Sequence, residues 1–130
     1  MRGNIKVSKT NEHKIVFRNL LSSYLPSLYY IICPKSVFPR AEYDFKQLSI
    51  DNIPYEKYIL TINCYDKNQS ENIDDCIDNL IENLGTASYY TENFYYQFFY
   101  GKDRQKIPEQ DKTIFRETLT FEVRIYKRRE

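Results

Sequence analysis

Glycine and histidine are scarce in this sequence, and tryptophan is absent. Only three of the 130 residues are glycine, and the only histidine is His13. Phosphate-binding loops and dinucleotide-binding turns need closely spaced glycines so that a phosphate can approach the backbone, so both are excluded. A single histidine allows at most one Ser-His-Asp or Cys-His arrangement, and we expect His13 to be an exposed helix residue without a catalytic role. The sequence therefore predicts a protein that is not an enzyme.

Cysteines are few and long apolar runs are missing. Cys33, Cys64 and Cys76 have neither a CxxC spacing nor a histidine cluster, which argues against zinc and against a disulfide framework. We expect no metal and no cofactor. Cys64 and Cys76 fall at apolar positions of the patterns below, which is typical of small buried side chains in a reducing compartment. Neither a signal peptide nor an apolar run of about 18 residues is present, which predicts a cytoplasmic protein without a membrane partner.

Aromatic residues, in contrast, are abundant. The chain has 13 Tyr and 8 Phe, and 42% of its residues are hydrophobic. That composition is typical of a globular fold, and the length suits one domain spanning residues 1–130. Tyrosine combines a large apolar body with a polar tip and is enriched at contact surfaces, so the composition favours an interacting protein.

Charge is balanced overall but divided along the chain. The net charge of +1 gives no general attraction for nucleic acid or an anionic membrane. Residues 1–46 have eight Lys and Arg against three acids, residues 47–100 two against nine, and residues 101–130 nine against six. Basic ends and an acidic middle can form complementary patches between copies, or can simply be solvated surface.

Two segments have the apolar spacing of amphipathic helices. The first runs from Thr10 to Leu25, with possible caps at Ser8, Thr10 and Asn11, and Pro26 ends it. The second follows a clearer repeat, and Gly85 stands at its C-terminal end; its apolar positions are Ile73, Cys76, Ile77, Leu80, Ile81 and Leu84. Its start is marked by a capping-box spacing of Asn68 and Glu71, or by Ser70 as an alternative cap.

The outer face of the second predicted helix has acids and no base. These residues are Glu71, Asp74, Asp75, Asp78 and Glu82. Like charges four residues apart repel one another slightly on a helix. Such a face is either solvated surface, or a surface that repels DNA or meets a basic partner.

Five segments read as strands, at residues 28–33, 40–50, 57–65, 93–100 and 113–127. The order α-β-β-β-α-β-β has no βαβ rhythm, which predicts an α+β fold: a mainly antiparallel sheet of about four to five strands with two helices on one face. The segment 93–100 is aromatic on both sides. One side can pack on the helices, and the other needs cover.

A nucleic-acid-binding module is the alternative that the aromatic residues leave open. The strand Phe94–Tyr100 lies beside Lys102, Arg104 and Lys106, like a stacking platform with a basic border. The element order differs from the βαββαβ of an RNA-recognition fold, and that fold's basic-aromatic motif is missing. Core and interface packing is the favoured role of these rings.

The C-terminal half resembles a known family. Its helix Glu71–Leu84 ends at Gly85 and an aromatic strand follows, before a charged segment and a final strand that begins Thr113-Ile-Phe-Arg and continues Leu119-Thr-Phe-Glu-Val-Arg-Ile-Tyr. The charged segment contains Asp103, Arg104, Gln105, Ile107, Pro108, Glu109, Asp111 and Lys112. This arrangement resembles the tail terminator family of long-tailed bacteriophages (siphoviruses), also called tail completion or head-to-tail joining proteins. Residues 28–45 fit the N-terminal half of that family.

The resemblance implies a structural virion protein that forms a ring, expected to be a hexamer. Such a ring sits at the head-proximal end of the tail tube, ends tube polymerisation and joins the tail to the head. Its partners would be copies of itself, the tail-tube protein and a head-connector or head-closure protein, with DNA only passing through a lumen. The protein would be found in the host cytoplasm during assembly and then in the virion tail. Another head-tail connector, such as a head-closure or tail-assembly protein, remains an alternative.

Two sets of contact residues follow from that resemblance. The charged segment is a candidate arm for subunit or tube contacts through Lys102, Asp103, Arg104, Lys106, Pro108, Glu109 and Asp111. The base-free helix face is a candidate lining of the lumen, since like charge suppresses contacts with phosphate; its residues are Glu71, Asp74, Asp75, Asp78 and Glu82. The termini, residues 1–8 and 127–130, lie beyond the resemblance and are candidates for disorder.

Overall fold

The computed structural model describes residues 8–31, 34–48 and 53–128. Cys33 and most of the termini for which disorder was predicted lie outside these ranges. Of the terminal residues that are described, Ser8 caps a helix and Lys127 ends the last strand, so the order of the fold extends to both.

Two helices form, as predicted, and the first is shorter than its apolar pattern. Helix α1 spans Lys9–Leu21, and Ser8 Oγ accepts a hydrogen bond from the Asn11 N–H at 3.2 Å. The hydroxyls of Ser22 and Ser23 both donate to Asn19 O. These side-chain hydrogen bonds compete with the backbone hydrogen bonds of a further helical turn. The helix therefore ends before Pro26.

Helix α2 spans Glu71–Leu84, the range that its periodicity predicts. Ser70 is its N-cap residue, but no side-chain hydrogen bond closes the cap, so the predicted capping box of Asn68 with Glu71 does not form. Gly85 ends the helix in a right-handed conformation, and its N–H continues the helical pattern by donating to Ile81 O at 2.9 Å.

The strands are more numerous than the sequence predicts. Seven form within the described residues: β1 Leu28–Tyr30, β2 Arg40–Leu48, β3 Glu56–Lys67, β4 Ser88–Tyr90, β5 Phe94–Tyr100, β6 Gln105–Ile107 and β7 Ile114–Lys127. They form one curled, mixed sheet in the order β1-β2-β3-β7-β5-β4, and β6 also pairs with β7. The fold is α+β, as predicted, but the prediction of four to five strands was too low.

Two short strands, β4 and β6, account for the difference. Strand β1 lies within the predicted segment 28–33 but is shorter. It pairs with β2 in parallel, which makes the sheet mixed, and it ends before Ile31, whose φ of 64° leaves the extended region. Strand β4 forms a hairpin with β5, in which the Thr91 N–H donates to Phe94 O at 2.9 Å. Strand β6 lies in the segment that the sequence assigned to a charged loop. Three-residue strands have too few positions to show an alternating pattern.

Both helices cover the same face of the sheet and enclose one core. The long strands contribute alternate residues to this core face, as the alternation predicts: Tyr58, Leu60, Ile62 and Cys64 of β3, and Leu119, Phe121, Val123 and Ile125 of β7. The Phe17 ring of α1 meets Phe98 edge-on, and Ile73, Ile77, Leu80 and Leu84 of α2 are buried in the same cluster. Cys64 is fully buried and burial raises the pKa of its thiol.

Strands β5 and β6 lie along the same side of β7 and are separated by an irregular segment, residues 101–104. Tyr100 pairs with Phe121 and Gln105 with Thr118. The four residues 101–104 therefore lie opposite only two residues of β7, 119 and 120. The Gly101 N–H donates to Thr120 O, and Asp103 accepts from the Thr120 N–H, each at 2.9 Å. A Cβ at position 101 would lie 2.6 Å from Thr120 Oγ1, which explains why a glycine is needed there.

The outer edge of β2 is only partly covered by β1. Pairing runs from Ala41 to Tyr43, and the Ile31 N–H donates to Tyr43 O at 3.0 Å. One step further along, the N–H of Phe45 is bonded by the carboxylate of the preceding residue, Asp44 Oδ1, at 2.8 Å. A side chain of β2 itself therefore satisfies the Phe45 N–H.

Neither helix among the described residues has the length and apolar content needed to cross a membrane.

Candidate interaction surface

The face of the sheet opposite the helices has no covering layer among the described residues. We call it the open face. Its positions alternate with those of the core: odd-numbered residues of β3 and β5 and even-numbered residues of β7. Most are half-buried, and they include Ile59, Tyr95, Phe99 and Tyr126, whereas Tyr65 is buried. A sheet face with this many partly exposed aromatic rings resembles a contact surface more than ordinary solvated surface.

Four tyrosines form a row across one end of the open face. We call Tyr55, Tyr126, Tyr95 and Tyr90 the tyrosine row. The ring centroids of Tyr55 and Tyr126 are 5.1 Å apart, and those of Tyr126 and Tyr95 are 5.6 Å apart. Tyr90 stacks on Tyr95 with centroids at 4.5 Å, and 60% of its surface remains exposed. The row combines rigid apolar area with polar tips, which suits a protein contact.

Arg124 is held between rings of the open face. Its guanidinium lies 4.6 Å from the Phe99 ring centroid and 5.3 Å from that of Tyr55. Its Nε donates to Glu122 Oε2 at 2.7 Å, and Lys57 Nζ lies 3.1 Å from Glu122 Oε1. Partial burial disfavours ionisation of Glu122, but the hydrogen bonds from Arg124 and Lys57 outweigh it and lower the pKa of this carboxyl. The guanidinium of Arg124 is therefore held in place by side chains of its own subunit.

The other end of the open face repeats the arginine-on-ring arrangement around Tyr65. The guanidinium of Arg40 lies 4.3 Å from the Tyr65 ring centroid and that of Arg116 5.6 Å from it. Tyr65 donates its hydroxyl to Glu42 Oε1 at 3.0 Å, and burial together with this hydrogen bond raises the pKa of Tyr65 to about 12. Arg40 is itself almost fully buried. Arginines stacked on aromatic rings are typical of interfaces.

A second cluster lies on the helix side, where Arg104 joins the 101–104 segment to α2. Its guanidinium donates to Glu117 Oε1 at 2.9 Å, to Asp78 Oδ1 at 2.5 Å and to Asp74 Oδ1 at 3.3 Å. Glu117 is only 1% exposed, and burial, together with a hydrogen bond shared with Asp74, raises the pKa of its carboxyl. The arginine neutralises a carboxylate group that would otherwise destabilise the fold.

The predicted arm residues occupy different environments in this segment. Asp103 and Arg104 are used inside the subunit, in the bonds described above. Glu109 lies 3.7 Å from Arg116 Nη1 at the border of the open face. The remaining four are exposed: Lys102, Lys106, Pro108 and Asp111. The segment is folded onto β7, and the residues available for a partner are fewer than the sequence suggests.

The acids of the predicted helix face do lie on the outer side of α2, but bases from another segment of the chain lie beside them. Asp74 and Asp78 share Arg104, and Lys106 Nζ lies 3.9 Å from Asp74 Oδ2. Glu71, Asp75 and Glu82 are exposed. The helix sequence could not reveal this pairing, because Arg104 is 26 residues from Asp78 and reaches it only through the turn after β5.

His13 differs from its prediction. It was expected to be exposed, but it is fully buried, because the inner side of α1 places it among the rings of Tyr58, Phe94 and Tyr96. Its Nδ1 lies 2.7 Å from Tyr96 Oη, and burial lowers its pKa to about 4. The described residues contain no cluster of three or more His, Cys, Asp or Glu side chains arranged to hold a metal ion.

The arginines and tyrosines of the open face were not predicted as site residues. The side-chain alternation of a strand over residues 113–127 places Arg124 on the side opposite Val123 and Ile125, but the pairing that brings Tyr126 opposite Tyr95 depends on the register of β5 with β7. No model of a known protein family and no characterised protein sequence matches the chain.

Proposed function

We propose that this protein works by assembly: it is a structural virion protein that forms a ring, with six copies as the expected number, at the head-proximal end of a phage tail tube. There it ends tube polymerisation and joins the tail to the head. The observation that supports assembly is the open face, an aromatic and arginine-rich sheet surface with no covering layer in the described subunit. The phage-tail form of the proposal depends on the resemblance of residues 28–45 and 71–126 to tail terminators.

The chemistry of the open face favours a protein partner. Its arginines are already paired or stacked, as Arg124 is with Glu122 and Phe99, so they are not aimed at a small substrate. Tyr, Phe and Arg are the residues that interfaces concentrate, since they give large contact area at low entropic cost. The only histidine is enclosed by rings with its pKa lowered to about 4, so it cannot serve as an accessible base near neutral pH.

The partners in this proposal are other copies of the chain, the tail-tube protein and a head-connector or head-closure protein. The exposed residues of the 101–113 segment, Lys102, Lys106, Pro108 and Asp111, are candidates for the tube contact. DNA would pass through the lumen without specific binding, and neither a cofactor nor a membrane is involved.

The proposal is tested by adding the purified protein to polymerising tail-tube protein from the same genome. Substoichiometric amounts should shorten the tubes, and labelled protein should be seen at one tube end by electron microscopy. Tyr90→Ala should weaken this effect because it removes the exposed end of the tyrosine row. Tyr89→Ala is the matched control, since Tyr89 lies next to it on the opposite side of β4. Tubes of unchanged length without bound protein would contradict the proposal.

A nucleic-acid-binding module is the second candidate, and the arginines stacked on rings favour it. Arg124 over Phe99 and Arg128 over Tyr90 could stack bases and neutralise phosphates. That function predicts oligonucleotide binding at physiological salt that weakens steeply as salt rises. Fluorescence anisotropy with a labelled single strand measures it. Binding without any interaction with the tube would favour this candidate over assembly, whereas binding to a head connector and not to the tube would indicate another head-tail connector protein.

A further inference from the structure

The outer side of α2 is a strongly acidic surface. Five acidic residues lie on this helix outside the core, and the helix has no Lys or Arg. Arg104 binds two of them, Asp74 and Asp78, yet the Asp78 side chain remains 66% exposed. Glu71, Asp75 and Glu82 are exposed. Even with Lys106 Nζ 3.9 Å from Asp74 Oδ2, a net negative charge therefore remains on this side of the subunit.

The open face has the opposite charge. Over β3, β5 and β7, its positions hold four bases and one acid, namely Lys57, Lys67, Arg116, Arg124 and Glu122, and the same side of β2 adds two bases and two acids, Arg40, Lys46, Glu42 and Asp44. The rings of Phe99 and the tyrosine row lie between these charges. This surface combines apolar area that would gain from burial with a net positive charge.

The two surfaces lie on opposite sides of the same subunit, because α2 packs on the core face of the sheet. They cannot meet within one copy. Between copies they can meet in a head-to-tail manner, with the same contact repeated from each copy to the next. A repeated head-to-tail contact closes into a ring if the rotation per copy allows it.

We infer that the acidic outer face of α2 in one copy docks on the open face of β3, β5 and β7 in the next copy. This inference deepens the proposed function and rests on it for the closure of the ring. Exposed carboxylates of α2, such as Asp75 and Glu82, meet the basic groups of the neighbour, and the helix covers the aromatic rings. A helix face docked in this way is not free to line a lumen, so the inference replaces the lumen-facing role predicted for these residues.

Charge also disfavours the symmetric alternatives. Two open faces placed against each other would bring two surfaces with an excess of bases opposite each other. Two α2 faces would bring acids opposite acids. Like charges across an interface are strongly unfavourable, whereas the helix-on-sheet contact places a net acidic surface against a net basic one.

Two charge-reversal variants test the inference. The face variant has Arg116→Glu and Arg124→Glu, and the helix variant has Asp75→Lys and Glu82→Lys. Wild-type protein should self-associate in sedimentation and native mass spectrometry, and either variant alone should associate at least about tenfold more weakly. An equimolar mixture should restore association, because the acidic face of one variant meets the basic helix of the other and the unchanged surfaces also match.

Arg18→Glu is the matched control, since Arg18 is exposed on α1 outside both surfaces, and it should associate like wild type. Thermal unfolding followed by circular dichroism checks that each variant folds. If the face variant is unfolded, Arg124→Gln takes its place and should weaken association without reversing a charge.

Several results would overturn the inference. They are a helix variant that self-associates like wild type, a mixture of two folded variants that stays dissociated, and a wild-type protein that stays monomeric up to its solubility limit. Each of these concerns the contact between copies. Failure of the proposed function would be seen separately, as the absence of any effect on tube length.

Discussion

At the scale of single residues, His13 makes the clearest prediction. Its pKa in the folded state is lowered to about 4 by burial, against about 6.5 in the unfolded chain. The unfolded state therefore takes up a proton first as pH falls, so stability is lost between about pH 6.5 and about pH 4. The loss of free energy of unfolding contributed by His13 should approach about 3 kcal/mol below about pH 4.

Urea unfolding at a series of pH values measures this contribution. Because carboxyl groups titrate in the same range, the informative quantity is the difference between wild type and His13→Phe. The variant keeps an aromatic ring among Tyr58, Phe94 and Tyr96 but cannot be protonated, so its free energy of unfolding should depend less on pH. Parallel pH profiles for the two proteins would show that His13 is not the buried neutral group described here.

At the scale of secondary-structure elements, the Arg104 cluster connects α2 to the 101–104 segment and β7. Replacing Arg104 by Leu leaves the buried carboxylate of Glu117 without its cation, which should lower the free energy of unfolding by about 3 kcal/mol. The double variant with Glu117→Gln should be less destabilised than the sum of the single changes, because the uncompensated charge is gone. Denaturant unfolding of all four proteins gives the coupling energy.

Lys106→Ala is the control for that cycle. The Lys106 ammonium group lies 3.9 Å from Asp74 and its side chain is 66% exposed. The substitution should therefore lower the free energy of unfolding by less than about 1 kcal/mol. Equal losses from the Arg104 and Lys106 changes would contradict the structural role assigned to Arg104.

The elements also show how much of the fold the sequence could predict. Helix α2 and strand β7 have patterns long enough to define them, and the residues that α2 buries were predicted from spacing alone. Strand β6 was missed because its pairing depends on Asp103 and Arg104, which make contacts 17 and 26 residues away. The parallel pairing of β1 with β2 was missed because hydrophobic alternation does not report strand direction.

The candidate surface was predicted in outline and not in its residues. The two-sided aromatic pattern of 93–100 indicated that one side of the sheet would need cover. Which charged groups join that side depends on three strands meeting in register, as Lys57, Glu122 and Arg124 do. His13 shows the same limit, since its burial follows from the way α1 lies on β5, which the spacing of α1 alone does not determine.

At the scale of the whole molecule, the single core predicts cooperative unfolding. Residues of both helices and of β2, β3, β5 and β7 belong to one buried cluster, so no element has a separate core of its own among the described residues. Far-ultraviolet circular dichroism, which follows backbone structure, and the near-ultraviolet signal of tyrosine should therefore change at the same temperature. Two separated transitions would indicate that α1 or the β4–β5 hairpin unfolds independently.

The Asp44 carboxylate on the β2 edge has a consequence for aggregation. An exposed strand edge invites pairing with another strand, and sheets that grow in this way form fibrils. At Phe45 the outward N–H is already occupied by the neighbouring acid, at 2.8 Å. An approaching strand would have to displace a charged group to gain one hydrogen bond. At this position the β2 edge is thereby protected against open-ended polymerisation, while the faces of the sheet stay available for contacts of finite size.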